Sequence, residues 1–152
     1  MVTKEELSKL SITSENIKTA QRVTASELSR FADNSYELAE MISDRKKQYE
    51  KEMGVKTTAA YDDIEEMCLI SMSTYKKAMC GQRKITRTFL YKLAVGFKMS
   101  LDEANKYFEL CGGPLSENKV EDYICIKALK DGDDINQLAD DFEKHLNLKI
   151  GL

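Results

Sequence analysis

Residues 62–81 read DDIEEMCLISMSTYKKAMCG, and this stretch decides the fold. Asp62 to Ile70 reads as a short helix whose leading carboxylates, Asp62 and Asp63, suit the positive end of a helix dipole. Ser71 is placed to cap a second short helix over about Met72–Cys80, which Gly81 ends in the left-handed conformation. Two short helices meeting through so tight a turn need a buried anchor at their crossing. Ile64, Ile70 and Tyr75 supply it, and Met72, Ser73, Lys76 and Lys77 are left to face outward.

Working outward toward the C-terminus, Thr86 caps a third helix with apolar Phe89, Leu90, Leu93, Ala94 and Phe97. Ser100 caps a fourth, carrying Leu101, Ala104, Tyr107, Phe108 and Cys111. Gly112, Gly113 and Pro114 form the strongest helix breaker in the chain. Beyond it Ser116 is expected to open a helix with Val120, Tyr123, Ile124 and Ala128, stopping near Gly132. Asp134 and Gln137 make a capping-box pair for a last helix bearing Ile135, Leu138, Ala139, Phe142 and Leu146.

Toward the N-terminus, Thr3–Leu10 is a short helical candidate, and a longer one starts at Ser14 and carries Ile17, Ala20, Val23, Leu28 and Phe31. Asn34 with Glu37 reads as a further capping box, opening a helix with Leu38, Met41, Ile42 and Tyr49 that ends near Gly54. Whether 14–53 is two helices or one rod is open at this level. The polar run Arg45–Glu52 reads as an exposed end.

One proline and seven glycines in 152 residues are too few for an all-β chain, which needs turn residues every ~8–12 positions. The expected class is all-α: a helical bundle with N-terminal helices over 1–54, a central domain over 55–112 and a C-terminal helical hairpin over 113–152. A 42% hydrophobic share supports a packed core. No apolar run reaches the ~18–20 residues of a membrane span, and the polar N-terminus lacks a signal-peptide core, so a cytoplasmic protein with no membrane partner is expected.

Catalytic and metal chemistry find little support. Cys68, Cys80, Cys111 and Cys125 form no CxxC pair, and His145 is the one histidine, so no zinc site is expected. The four thiols read as reduced, small core residues. Asp133, Asp134, Asp140 and Asp141 lack the spacing of a calcium loop and read as helix-start chemistry and a wet face. No Gly-x-Ser-x-Gly, phosphate-binding glycine loop or second histidine is present, so the chain is expected to be neither an enzyme nor a cofactor carrier.

Charge is informative by region. The chain carries a net charge of −3, yet residues 71–98 hold seven basic residues and no acidic one: Lys76, Lys77, Arg83, Lys84, Arg87, Lys92 and Lys98. A run free of carboxylates in an acidic chain makes a local positive field.

Read without a gap, residues 64–104 resemble the helix-turn-helix domain of Cro and phage-repressor (Xre-like) proteins. Ile64 stands at the leucine of the first helix, Ile70–Ser71 at the turn, Ser73, Thr74, Tyr75, Lys76 and Lys77 in the recognition helix, and Gly81 and Arg83 at the closing Gly-x-Arg. Leu90, Leu93, Ala94 and Phe97 match the following helix, and Met99–Glu103 the start of the next. Tyr61, Glu65, Leu69 and Met79 depart from that pattern: the family has glutamine, a small residue, glycine and an acidic residue there.

The resemblance implies a sequence-specific regulator of duplex DNA, of bacterial, phage or mobile-element type. Met72, Ser73, Lys76 and Lys77 would lie in the major groove, and Arg83, Lys84 and Arg87 would grip phosphates. Residues 1–54 would join two copies as a homodimer or dock another protein. The alternative is an adaptor, antitoxin-like or anti-defence protein that keeps the scaffold without binding DNA. The overall acidity, Glu65 and the N-terminal extension favour it.

Overall fold

The computed structural model describes Val2 and residues 25–152, with side-chain surroundings from Asn34 onward. The described residues form seven helices and no strand: α1 Ala25–Met53, α2 Thr57–Cys68, α3 Met72–Met79, α4 Arg87–Gly96, α5 Leu101–Phe108, α6 Val120–Asp131 and α7 Ile135–Leu146. The all-α class is therefore correct. None of these helices is long and apolar enough to cross a membrane. The expected helix over Thr3–Leu10 and the start of the one from Ser14 lie outside the described residues.

Local capping chemistry sets most helix starts. Ser71, Thr86 and Ser100 each accept a hydrogen bond from the backbone N–H three residues on, at Thr74, Phe89 and Glu103. Asp134 and Gln137 close a reciprocal capping box. Gly132 ends α6 with φ 68°, and Gly81 follows α3 with φ 81°.

Three starts differ from expectation. Asn34 lies inside α1, which runs unbroken for 29 residues, so its pairing with Glu37 is no cap. α2 begins at Thr57, five residues before Asp62, because Ala60 is fully buried and tertiary packing extends the helix backward. The acidic pair thus sits mid-helix. Ser116 does not open α6: the segment 116–119 turns first, held by the Ser116 N–H donating to Asp122 Oδ2 at 3.0 Å.

α4 is the centre of the molecule. Phe89, Leu90, Tyr91, Leu93, Ala94 and Val95 are all buried, so it presents apolar surface nearly all round. It packs against α2, α5, α6 and α7, while α6 and α7 pair as a hairpin. Each large apolar side chain buried in this way stabilises the fold by about 1.5–3 kcal/mol. The α2–α4 crossing is close: a Cβ on Gly96 would lie 2.3 Å from Cys68 Sγ and 2.6 Å from the Met67 carbonyl oxygen.

α1 packs across both α2 and α3, and its Leu38 and Ile42 belong to the same apolar core as Ile64, Leu90 and Phe142. Its polar end is not simply exposed, since Lys46 is buried. Two aspartates also lie deeper than expected. Asp141 is buried, and its Oδ2 accepts the Val2 N–H at 3.2 Å; Asp133 is buried as well, so these are not wet-face residues. His145 is half-buried, with Nε2 2.6 Å from the Val2 carbonyl oxygen.

Candidate nucleic-acid interface

α2 and α3 are joined by three residues, Leu69, Ile70 and Ser71. Leu69 takes the left-handed conformation, φ 54° and ψ 42°, and its N–H closes α2 by donating to the Glu65 carbonyl. Ile70 is buried, and Ser71 caps α3. Tyr75 and Ala78 turn inward, with Tyr75 edge-on to Tyr61 at a ring separation of 5.7 Å. At 100° per residue, that inward pair leaves Met72, Ser73, Lys76, Lys77 and Cys80 on one outward face, and all five are exposed. Met72 is 44% exposed although apolar. Cys80 is therefore not the core thiol expected of it, whereas Cys68, Cys111 and Cys125 are buried and all four cysteines are free.

The segment after α3 folds back along it. The Arg83 N–H donates to the Lys77 carbonyl at 3.1 Å, and Arg83 Nη1 donates to Thr74 Oγ1 at 3.1 Å. An exposed guanidinium is thus held beside the first half of α3, where unpaired backbone N–H groups also favour an anion. A groove of about 540 Å³ runs here, with Glu65, Ser71, Thr74, Arg83, Lys84 and Lys92 among its walls. Lys92 is half-buried; burial, with Arg83 nearby, pulls its ammonium below the usual lysine range. Glu65 brings a carboxylate to this groove, which the basic run by itself lacks.

Arg87 is placed otherwise. Its guanidinium donates to the carbonyls of Cys111 and Gly113, lies over the Phe108 ring and pairs with Asp122 Oδ2 at 2.7 Å. Asp122 is fully buried and also accepts from the Tyr91 hydroxyl. The expected phosphate contact at Arg87 is therefore set aside. Its Nη donors are spent on tying α4 to α6 and the loop between α5 and α6.

Sequence reasoning missed the contribution of α1. Lys46 Nζ donates to Glu50 Oε1 at 3.1 Å and lies 4.2 Å from the centre of the Tyr61 ring, while Lys76 Nζ lies 5.1 Å from it. Lys46 falls four residues after Ile42 and eight after Leu38, on the buried stripe of α1; a lysine in that register was the available signal. The chain matches no protein-family model, no curated protein and no solved structure.

Proposed function

We propose that this protein is a sequence-specific DNA-binding regulator of the phage-repressor helix-turn-helix type, with α3 as the helix that enters the major groove. The observation that carries the reading is the outward face of α3, on which Met72, Ser73, Lys76 and Lys77 stand together while Arg83 is held beside its first half. The three-residue turn with a left-handed first residue and a serine cap supports the same type. Met72, Ser73, Lys76 and Lys77 would meet base edges or nearby phosphates, and Arg83 and Lys84 would contact phosphates; Arg87 has no part in it. One eight-residue helix reads few base pairs, so useful specificity calls for two copies, joined through residues 1–54.

A duplex from the protein's own promoter region, titrated at several salt concentrations, tests this. Retardation that weakens linearly in log–log form with salt is expected. Arg83→Ala should weaken binding to every sequence and reduce the slope by about 0.9. Lys77→Ala should instead change the preference among sites, by roughly 1–3 kcal/mol for a direct base contact. Absence of salt-sensitive binding at ~50 mM ends the DNA reading.

One observation favours the adaptor reading. Glu65 lines the groove beside Arg83 and Lys84, where it would repel a phosphate and suit a partner surface of mixed charge. In that case Arg83→Ala would abolish capture of a protein partner and leave DNA retardation absent throughout.

A further inference from the structure

A cavity of about 530 Å³ lies between α1, α2 and α3, within the size range of small-ligand sites. Lys46, Lys47 and Lys76 line it, opposed by a single carboxylate, Glu50. Lys46 is only 6% exposed, and its ammonium makes one hydrogen bond among the described residues, to Glu50. Tyr75, 3% exposed, forms part of the wall, and its hydroxyl has no hydrogen-bond partner among the described residues. A buried hydroxyl without a partner costs stability, and its burial keeps the phenol protonated well above the ordinary tyrosine range, hence a donor. Met79 and the Tyr61 ring add apolar wall.

We propose that this cavity binds a small organic phosphomonoester. Three ammonium groups against one carboxylate leave two positive charges, matching the charge of about −1.5 to −2 that a phosphomonoester carries at pH 7. The Tyr75 hydroxyl and the lysine N–H groups provide donors for its oxygens, and the volume beside Met79 takes an organic body that bare phosphate would leave empty. Lys76 belongs both to this cavity and to the outward face of α3. A bound phosphate therefore draws Lys76 away from duplex DNA, so ligand and DNA oppose each other. That coupling rests on the DNA reading; the site does not.

Calorimetry on the full chain with phenyl phosphate, inorganic phosphate and benzoate tests the site. Saturable binding is expected for phenyl phosphate, weaker for inorganic phosphate and weakest for benzoate. Tyr75→Phe should weaken phenyl phosphate about threefold to tenfold, as loss of one ordinary hydrogen bond implies, without lowering the melting temperature. Lys76→Ala should weaken it comparably and leave the fold unchanged. No saturable heat with phenyl phosphate at ~10 mM, well above any functional affinity, overturns the site, and unchanged binding in both variants overturns its location. Tighter binding of benzoate overturns the phosphate assignment. In gel retardation, added phenyl phosphate should release the promoter duplex. If the protein binds both and neither displaces the other, the coupling is overturned while the site stands; if it binds phenyl phosphate and never DNA, the DNA reading alone fails.

Discussion

The Arg87 guanidinium and the fully buried Asp122 carboxylate meet at 2.7 Å, joining the first turn of α4 to the first turn of α6 across 35 residues of sequence. Asp122 Oδ1 also accepts from Tyr91 and Oδ2 from the nearby Ser116 backbone, so Oδ1 and the charge itself are satisfied only while the two helices stay docked. Breaking such a pair by removing one partner leaves an uncompensated buried charge, at a cost of about 3–5 kcal/mol.

Arg87→Ala should therefore destabilise the protein by that amount in urea denaturation. Arg83→Ala, at an exposed position, should stay within about 0.5 kcal/mol of the original chain. Equal and small effects from both substitutions would show that the clasp between α4 and α6 contributes no stability. The contrast also warns against reading lost DNA affinity in an Arg87 variant as a lost phosphate contact.

Gly96→Ala should be destabilising although alanine is the better helix former. The added methyl would meet Cys68 Sγ and the Met67 carbonyl inside van der Waals distance, and the second of these is backbone. Overpacking of this kind costs about 1–3 kcal/mol. A melting temperature equal to or above that of the original chain would show that α2 and α4 can part without penalty.

A chain beginning at residue 55 should fail to fold cooperatively. It lacks Leu38 and Ile42, two of the largest fully buried side chains, and exposes the surfaces of α2 and α3 that α1 covers. The two losses alone amount to about 3–6 kcal/mol, a large share of ordinary domain stability. A sharp thermal transition and dispersed amide spectra from the shortened chain would overturn this.

Asp133 supplies a pH test. Burial raises its carboxyl above the usual range, helped by Asp131, Asp141 and Asp134 nearby, and its Oδ2 has no hydrogen-bond partner among the described residues. A carboxyl with a raised folded-state pKa favours the fold fully below its unfolded pKa, and that contribution is lost as pH rises through the folded value. Asp133→Asn should therefore melt higher than the original chain at pH 7, and the gain should shrink as pH falls toward about 4 and be gone below it. A gain independent of pH would place the effect elsewhere.

What the sequence disclosed and what it hid divide along the range of the interactions. Ser71, Thr86, Ser100 and Asp134 act on a backbone N–H three residues away, so their caps are legible in a short window. Tyr75 was legible as buried because two short helices crossing through a tight turn need an anchor at that position. Asn34 with Glu37 carries the same local pattern as a true cap, yet the apolar stripe through Leu38 and Ile42 continues the helix past it. The early start of α2 depends on the burial of Ala60, which is tertiary. Arg87 reads in sequence as one more cation of the basic run, because its partner stands 35 residues downstream. Lys46 and Lys47 come to the cavity beside Lys76 only because α1 crosses α3, a relationship that no spacing in the sequence reveals.

The turn between α2 and α3 holds a leucine where a glycine would be at ease. Left-handed backbone at a residue with a side chain costs roughly 1–2 kcal/mol, and Leu69 meets that cost while its side chain packs against the core. Glycine would tolerate many angles between the two helices; Leu69 tolerates a narrow range, and only while the core beneath it is intact. The orientation of α3 is thus conditional on packing. Damage anywhere in that core would reach the outward face as a change of aim, before any residue on the face itself is altered.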